Sequence, residues 1–220
     1  MKPKALFAVC LCLLLTLGSR AQEPPFYSEI RAFRQQDSLH FPPRNEILFV
    51  GSSTFRIWQD VQQAFPSYPI INRGFGGSTL PDVIRYAGSI IYPYHLKQVV
   101  IYCGDNDLAS SDTVSAKTVY DRFVTLFQLI RSHLPAARVT FVSIKPSPSR
   151  EKLLPKMDRA NRDIRHFIQM QKNASFIDVY HPMLDKTGKP IRALFRDDML
   201  HMNAKGYALW QRVLRPYLLK

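Results

Sequence analysis

Four short polar segments of the sequence contain the residue types that hydrolysis of an ester requires. A hydroxyl nucleophile needs a base of near-neutral pKa, a group that orients the base, and hydrogen-bond donors for the oxyanion. Residues 51–54 read Gly-Ser-Ser-Thr, residues 72–78 contain three glycines, residues 104–107 read Gly-Asp-Asn-Asp, and residues 198–201 read Asp-Met-Leu-His. Their combination predicts serine-based ester hydrolysis, with histidine as the base and glycine and asparagine as neutral donors.

Each of these segments, taken alone, also fits an ordinary structural role. Gly-Ser-Ser-Thr after a strand is typical of a turn and a helix N-cap, and Gly76-Gly77 is typical of a turn with positive φ. Residues 105–107 fit a helix start or a site for a hard cation, although the further ligands that calcium prefers are missing. Asp198 and His201 fit a surface pair. The chemical interpretation therefore depends on all four segments occurring together.

Apolar runs with strand character precede three of the four segments. Residues 47–50 are continuously apolar, as in a strand that is buried on both faces. Further candidate strands lie at residues 69–71, 98–103, 138–144 and 175–179, and helical apolar spacing occupies residues 26–39, 119–130, 157–168 and 207–217. Strands that alternate with helices predict one α/β domain with a parallel sheet. Because ligands bind beyond the carboxyl ends of such strands, the four segments are expected at one edge of the sheet.

The order and spacing of the four segments resemble the SGNH (GDSL-type) hydrolase family over residues 47–207. The resemblance implies a three-layer α/β/α, flavodoxin-like sandwich with a central parallel sheet of about five strands. It also implies no cofactor and no metal, and hydrolysis of acyl esters of lipids, small molecules or glycans. On the family's pattern Ser53 is the nucleophile, His201 the base and Asp198 its partner. The oxyanion donors fall on Ser53, Gly77 and Asn106.

The first segment departs from the family at one position. Ser52 stands where the family has an aspartate, so either Ser52 or Ser53 can be the nucleophile, and the register favours Ser53. A standard α/β-hydrolase is disfavoured because Phe55 replaces the last glycine of the Gly-x-Ser-x-Gly motif. A binding module that keeps the fold without the activity is a further alternative, although no residue that the family's chemistry uses is lost.

The first 21 residues have the features of a signal peptide. Lys2 and Lys4 precede an apolar run of about 13 residues, and Ser19-Arg20-Ala21 offers small residues at the cleavage positions. We predict a signal peptide over residues 1–21, a single hydrolase domain over residues 22–220, and a secreted or periplasmic protein without a stable membrane anchor. A retained anchor is the alternative, but the run is shorter than the roughly 20 residues that span a bilayer.

The chain is strongly basic and poor in cysteine once that segment is removed. The net charge of +13 falls to +10 without Lys2, Lys4 and Arg20, and Cys103 is then the only cysteine. We expect Cys103 to be a buried, inert thiol. The dense basic residues at 145–172 are interpreted as a solvated face, with an anionic membrane or an acidic glycan as alternatives. No nucleic-acid motif accompanies them, and the oligomeric state is not predicted.

The substrate is expected to carry a short acyl group, because a cleft built from loops is shallow. Phe75, Leu80 and Lys145 are predicted to contact it, and residues 145–149 are predicted to form a substrate-binding loop. Trp58 is assigned to the core. Export suits deacetylation of an extracellular or periplasmic polysaccharide, and cleavage of a phospholipid or lysophospholipid is the alternative.

Overall fold

A five-stranded parallel sheet forms the centre of the protein. The computed structural model describes residues 23–220, so the predicted signal peptide lies outside the described residues. The strands are β1 (Glu46–Gly51), β2 (Ile70–Gly74), β3 (Leu96–Tyr102), β4 (Arg138–Val142) and β5 (Ala174–Ile177), and their spatial order is β2-β1-β3-β4-β5. Every neighbouring pair is parallel. The predicted α/β class with a parallel sheet of about five strands is confirmed.

Helices cover both faces of this sheet. The helices are α1 (Tyr27–Leu39), α2 (Ser53–Ile57), α3 (Val61–Ala64), α4 (Leu80–Ile90), α5 (Asp105–Ser110), α6 (Ala116–His133), α7 (Leu154–Gln169) and α8 (Ala204–Leu214). Because successive strand residues point to opposite faces, Leu48 and Val50 pack with α1, α4, α6 and α7, whereas Ile47 and Phe49 pack with α2, α3 and α8. Trp58 lies in this second core, as predicted.

Two strands are shorter than their sequence patterns predict. The apolar runs extend to residues 144 and 179, but β4 ends at Val142 and β5 ends at Ile177. Beyond these points buried side chains take over the backbone hydrogen bonds. The Asn161 amide bonds both the N–H and the carbonyl of Ile144, and the Ser143 hydroxyl accepts from the N–H of Val179. These backbone groups therefore keep hydrogen-bond partners where the chain leaves the sheet.

The basic segment at residues 145–172 is partly neutralised by local ion pairs. On the exposed face of α7, Arg159 pairs with Asp163 at 2.9 Å and Arg162 pairs with Asp158 at 2.5 Å. Lys145 is buried and does not belong to the solvated face. Within residues 23–220, no helix has both the length and the apolar character needed to cross a membrane.

The end of β1 requires a glycine, and this generates a stability prediction. Gly51 has φ of 137°, and a Cβ atom there would lie 1.9 Å from the carbonyl oxygen of Tyr102. We expect Gly51→Ala to lower the free energy of unfolding by at least about 3 kcal/mol, because strain and a backbone clash act together. Urea denaturation measures this change.

Gly88 provides the matched control. It lies in the exposed part of α4, and a Cβ atom there meets nothing within 4 Å. Gly88→Ala should raise the free energy of unfolding by about 0.5–1 kcal/mol, since alanine loses less backbone entropy in a helix. Wild-type stability in Gly51→Ala would contradict the backbone conformation at the end of β1.

Candidate active site

Ser53 lies at the carboxyl end of β1, where it begins helix α2. The chain turns sharply there, and the Ser52 N–H donates to the carbonyl of Tyr102 on the neighbouring strand at 3.1 Å. Ser52 is buried, whereas Ser53 remains partly exposed. As the first helical residue, Ser53 has a backbone N–H without an acceptor inside the helix. Of the two serines, Ser53 is therefore the one that a substrate can reach.

His201 and Asp198 stand in line with this serine. The Ser53 Oγ atom is 3.0 Å from Nε2 of His201, and Nδ1 of the same ring is 2.6 Å from Oδ2 of Asp198. The other carboxylate oxygen accepts the backbone N–H groups of Leu200 and His201, both at 2.9 Å. Partial burial raises the pKa of Asp198, but these hydrogen bonds and the His201 side chain outweigh it and lower the pKa to about 2. The carboxylate thus stays ionised and orients the imidazole.

A tight loop presents these two side chains on the same side of the chain. Met199, between them, has φ of 54°, a left-handed conformation that is uncommon outside glycine. Neighbouring segments hold it there: the Ser149 N–H donates to the Met199 carbonyl at 3.0 Å, and the Arg196 N–H donates to the His201 carbonyl at 2.8 Å. The loop geometry is therefore imposed by tertiary contacts.

The structure contains a second pair with the same spacing, which was not predicted from the sequence. Asp178 and His181 form a side-chain contact of 2.7 Å, and the pKa of Asp178 is lowered because His181 and Arg165 outweigh its burial. This pair follows β5, which is three strand spacings, about 14 Å, from β1. His181 therefore cannot reach Ser53 and is largely solvent-exposed.

The glycine loop after β2, residues 74–78, and Asn106 face each other. A Cβ atom built on Gly77 would lie 3.6 Å from Nδ2 of Asn106. Nδ2 donates one hydrogen bond, to the carbonyl of Ser78 at 3.2 Å. Among residues 23–220 no hydrogen bond uses the N–H of Gly77. The backbone of Gly77 and the amide of Asn106 therefore border one space with unused donors.

Two carboxylate contacts hold the glycine loop in place. Asp107 accepts the N–H of Leu80 at 3.0 Å and the Arg122 guanidinium at 2.7 Å; its burial outweighs these donors, so its pKa is raised. Glu29 accepts the N–H of Gly76 at 3.1 Å. Gly76 itself has φ of 35°. The loop is thus fixed to α5 on one side and to α1 on the other.

The three residues predicted to contact the substrate are buried and present no surface to it, which contradicts the prediction. Phe75 and Leu80 are fully buried, and the Phe75 ring packs edge-on against Phe26 at 5.4 Å. Lys145 is also buried, with Nζ 3.6 Å from Oδ2 of Asp105. The physical reason is that a loop at the edge of the sheet still turns its apolar side chains into the core, and that the buried Asp105 requires a cation.

The predicted substrate-binding loop is likewise largely inside the protein. Residues 145–147 are buried, and exposure begins at Pro148. From there the 3₁₀ helix Pro148–Leu153 forms one side of a cleft of about 880 Å³, whose other lining residues are Leu108, Ala109 and Asp112. Arg150 belongs to this cleft and donates from Nη2 to Oδ1 of Asn106 at 2.8 Å. Arg150 was not predicted; its position after a proline-rich turn at the sheet edge was the available signal.

Within residues 23–220, histidine, cysteine, aspartate and glutamate residues form no group of three that could hold a metal ion. Cys103 is a buried free thiol, as predicted. Burial raises the pKa of this thiol well above its usual value, and nearby carboxylates act in the same direction.

The sequence and the fold both have known counterparts. The profile of the GDSL-like lipase/acylhydrolase family matches residues 49–209. No curated protein matches the chain. A solved structure from Streptococcus pneumoniae, provisionally named a platelet activating factor, has a TM-score of 0.77 at 20% identity, over 88% of this chain and 92% of that one.

Two further solved structures share the fold. One, from Bacteroides fragilis, is provisionally named an acylhydrolase and has a TM-score of 0.74 at 20% identity, over 87% of this chain and 96% of that one. The other is a mutant of an acetyl-xylooligosaccharide esterase from Geobacillus, with a TM-score of 0.64 at 15% identity, over 81% of this chain and 96% of that one. At these identities the likeness concerns the fold.

Proposed function

This chain belongs to the GDSL-like lipase/acylhydrolase family and is a carboxylic ester hydrolase; on that premise, we propose that it removes short acyl groups from glycans or small molecules, with Ser53 as nucleophile. The observation that carries the proposal is the continuous line of hydrogen bonds from Ser53 through His201 to Asp198, at 3.0 and 2.6 Å. Such a line is what activation of a serine hydroxyl requires.

The proposed reaction has two halves. In the first, the Ser53 oxygen attacks the ester carbonyl while Nε2 of His201 takes the hydroxyl proton. His201 then gives that proton to the departing alcohol, and an acyl-serine remains. In the second, His201 takes a proton from water as the water oxygen attacks the acyl carbon; the bond to the Ser53 oxygen then breaks, the carboxylic acid leaves, and His201 returns the proton to Ser53. Asp198 stabilises the imidazolium in both halves.

Three neutral hydrogen-bond donors are proposed to stabilise the negative charge that develops on the carbonyl oxygen. These are the backbone N–H groups of Ser53 and Gly77 and the side-chain amide of Asn106. The first has no acceptor in its helix, the second is unused among residues 23–220, and the third retains a second N–H. Preorganised donors of this kind stabilise the tetrahedral intermediate without reorganising during the reaction.

A short acyl group and a polar alcohol suit the cleft that Arg150 borders next to Asn106. Its lining combines apolar side chains, such as Leu108 and Leu153, with Asp112, Arg150, Glu151 and Lys152, whose polar groups suit the hydroxyl groups of a sugar. The Geobacillus protein with the same fold is named for an acetylated oligosaccharide. Deacetylation of a glycan is therefore the proposed reaction, and cleavage of a lysophospholipid is the alternative.

The proposed site of action is outside the cytoplasm. The basic start and the apolar run in residues 1–21 support export, which places a single hydrolase domain, residues 22–220, with secreted or periplasmic polysaccharide. A domain without disulfides then depends on its two apolar cores for stability in that compartment.

Replacing each serine in turn tests the nucleophile. We expect Ser53→Ala to lower kcat/KM for nitrophenyl acetate by at least about 10³-fold, because the attacking oxygen is removed. Ser52→Ala should stay within about 3-fold of the wild type, since its hydroxyl is buried without a partner. A fluorophosphonate should label Ser53 in the wild-type protein. Activity lost only in Ser52→Ala would overturn the assignment, and no label at Ser53 would favour a binding module.

The two aspartate–histidine pairs allow a matched test of the base. Asp198→Asn should lower kcat by roughly 10³–10⁴-fold, because an amide cannot hold the imidazole in the reactive tautomer. Asp178→Asn makes the same change in the pair that lies far from Ser53, and kcat should remain within about 2-fold. Steady-state kinetics on one ester provide the comparison. Similar losses in both variants would contradict the assignment of His201 as the base.

A series of nitrophenyl esters from acetate to palmitate tests the acyl group. We expect kcat/KM to be highest for acetate and to fall by about 10-fold or more by octanoate, because a shallow surface does not bury a long chain. Acetate released from acetylated xylan oligosaccharides then checks the alcohol half. Highest activity on the long chains would refute the short-acyl proposal and support a lysophospholipase.

A further inference from the structure

We propose that Arg150 is a positioning residue for the oxyanion hole: it holds the Asn106 side chain with its amide nitrogen toward the developing negative charge. This inference rests on the proposed esterase function. Its basis is the contact from Nη2 of Arg150 to Oδ1 of Asn106 at 2.8 Å. Arg150 acts through Asn106 and makes no contact with the reacting atoms in this assignment.

The hydrogen bonds of Asn106 use the amide oxygen and one of the two amide N–H groups. The oxygen accepts from Arg150, one N–H donates to the Ser78 carbonyl at 3.2 Å, and Nδ2 would lie 3.6 Å from a Cβ atom built on Gly77. An amide nitrogen has two hydrogens. The second N–H therefore remains for the oxyanion, in the space that Gly77 borders.

The opposite orientation of the amide is disfavoured at both ends. A flip would bring the amide oxygen against the carbonyl oxygen of Ser78, and the amide N–H groups against the guanidinium of Arg150. Each clash sets like partial charges together and leaves a partly buried polar group unpaired. Without Arg150 only the Ser78 contact would select the orientation, and an acceptor could then face the oxyanion.

A buried charge cluster holds Arg150 itself. Nη1 of Arg150 is 3.1 Å from Oδ2 of Asp105, and Nζ of Lys145 is 3.6 Å from the same oxygen. The side chains of Arg150, Asp105 and Lys145 are 15%, 5% and 1% exposed. The two cations outweigh the burial of Asp105, whose pKa is lowered. Asp105 is the chain neighbour of Asn106, so one guanidinium bridges two adjacent side chains.

Arginine is suited to this position because its donors point in fixed, separate directions. Nη2 donates to Asn106, while Nη1 lies within ion-pair distance of Asp105 without a hydrogen bond to it. A lysine has a single nitrogen at the end of a flexible stem and serves one of these partners well, not both. Arg150 also borders the cleft, so direct binding of an anionic substrate group is the competing explanation.

A double-mutant cycle on nitrophenyl acetate, a neutral ester, separates the two explanations. Asn106→Ala should lower kcat by about 10²-fold or more. Arg150→Met should lower kcat by about 10-fold or more with KM within about 3-fold, and should have no further effect in the Asn106→Ala background. Losses that multiply in the double variant would overturn the proposal. So would a raised KM with unchanged kcat, which indicates substrate binding by Arg150.

Separate controls test whether the Arg150 variant is folded and whether loss of any arginine lowers kcat. Arg150→Met leaves Lys145 beside Asp105, and thermal unfolding checks that the variant is folded. Arg159→Met removes an exposed arginine from α7 and should leave kcat unchanged. If Arg150→Met does not fold, Arg150→Lys takes its place in the cycle. A kcat loss present with Asn106 and absent in Asn106→Ala supports the proposal, whereas an equal loss in both backgrounds, or no loss in either, overturns it.

The outcomes also distinguish this inference from the proposed function. A wild-type protein that hydrolyses no ester and takes no fluorophosphonate label contradicts the proposed function. An active wild type, a weakened Asn106→Ala and an unchanged Arg150→Met contradict the positioning of Asn106 alone. In that case the Ser78 carbonyl is sufficient to orient the amide.

Discussion

The hydrogen bond between Ser53 and His201 joins positions 148 residues apart in the chain. It forms because the packing on one face of the sheet brings these two positions together. Helix α8, which follows the His201 loop, is tied back to α2 by the Tyr207 hydroxyl, which donates to the Thr54 carbonyl at 2.8 Å. Below this contact the Trp210 ring packs on Phe55 at 6.3 Å. The apolar core therefore holds the two ends of the hydrogen-bonded line at contact distance, and a shift of either helix would open it.

The first turn of α5 connects the loops that surround the site through three consecutive polar residues. Successive helical residues point about 100° apart, so Asp105, Asn106 and Asp107 face three different directions. Asp105 meets the cations from the segment after β4, Asn106 faces the glycine loop after β2, and Asp107 meets Leu80 at the start of α4 and Arg122 of α6. Three consecutive polar residues thus join three strand-end loops, which is why burying two carboxylates there is tolerated: each has its own cation.

The fold is shared with proteins that are only 15–20% identical. Such a fold depends on where apolar residues recur, and many side chains satisfy that pattern; the chemistry depends on a few residues at the strand ends. This explains why the strand pattern and the four polar segments could be predicted from the sequence. It also explains the errors, because Phe75 and Leu80 lie beside these segments in the chain but point into the core, and sequence proximity carries no information on side-chain direction at a sheet edge.

By itself the sequence determined the α/β class, the parallel sheet and the presence of a serine, a glycine, an asparagine and an aspartate–histidine pair at its loops, because local periodicity and motif order encode them. The Asp-x-x-His spacing occurs four times in the sequence. The family's motif order favoured Asp198 and His201, and in the tertiary structure this pair meets Ser53 whereas Asp178 and His181 do not. Strand order is the reason: β5 carries His181 about 14 Å from β1, while a longer loop returns His201 to the serine. The contact from Arg150 to Asn106 also depended on tertiary structure, since it joins side chains 44 residues apart across two strand-end loops.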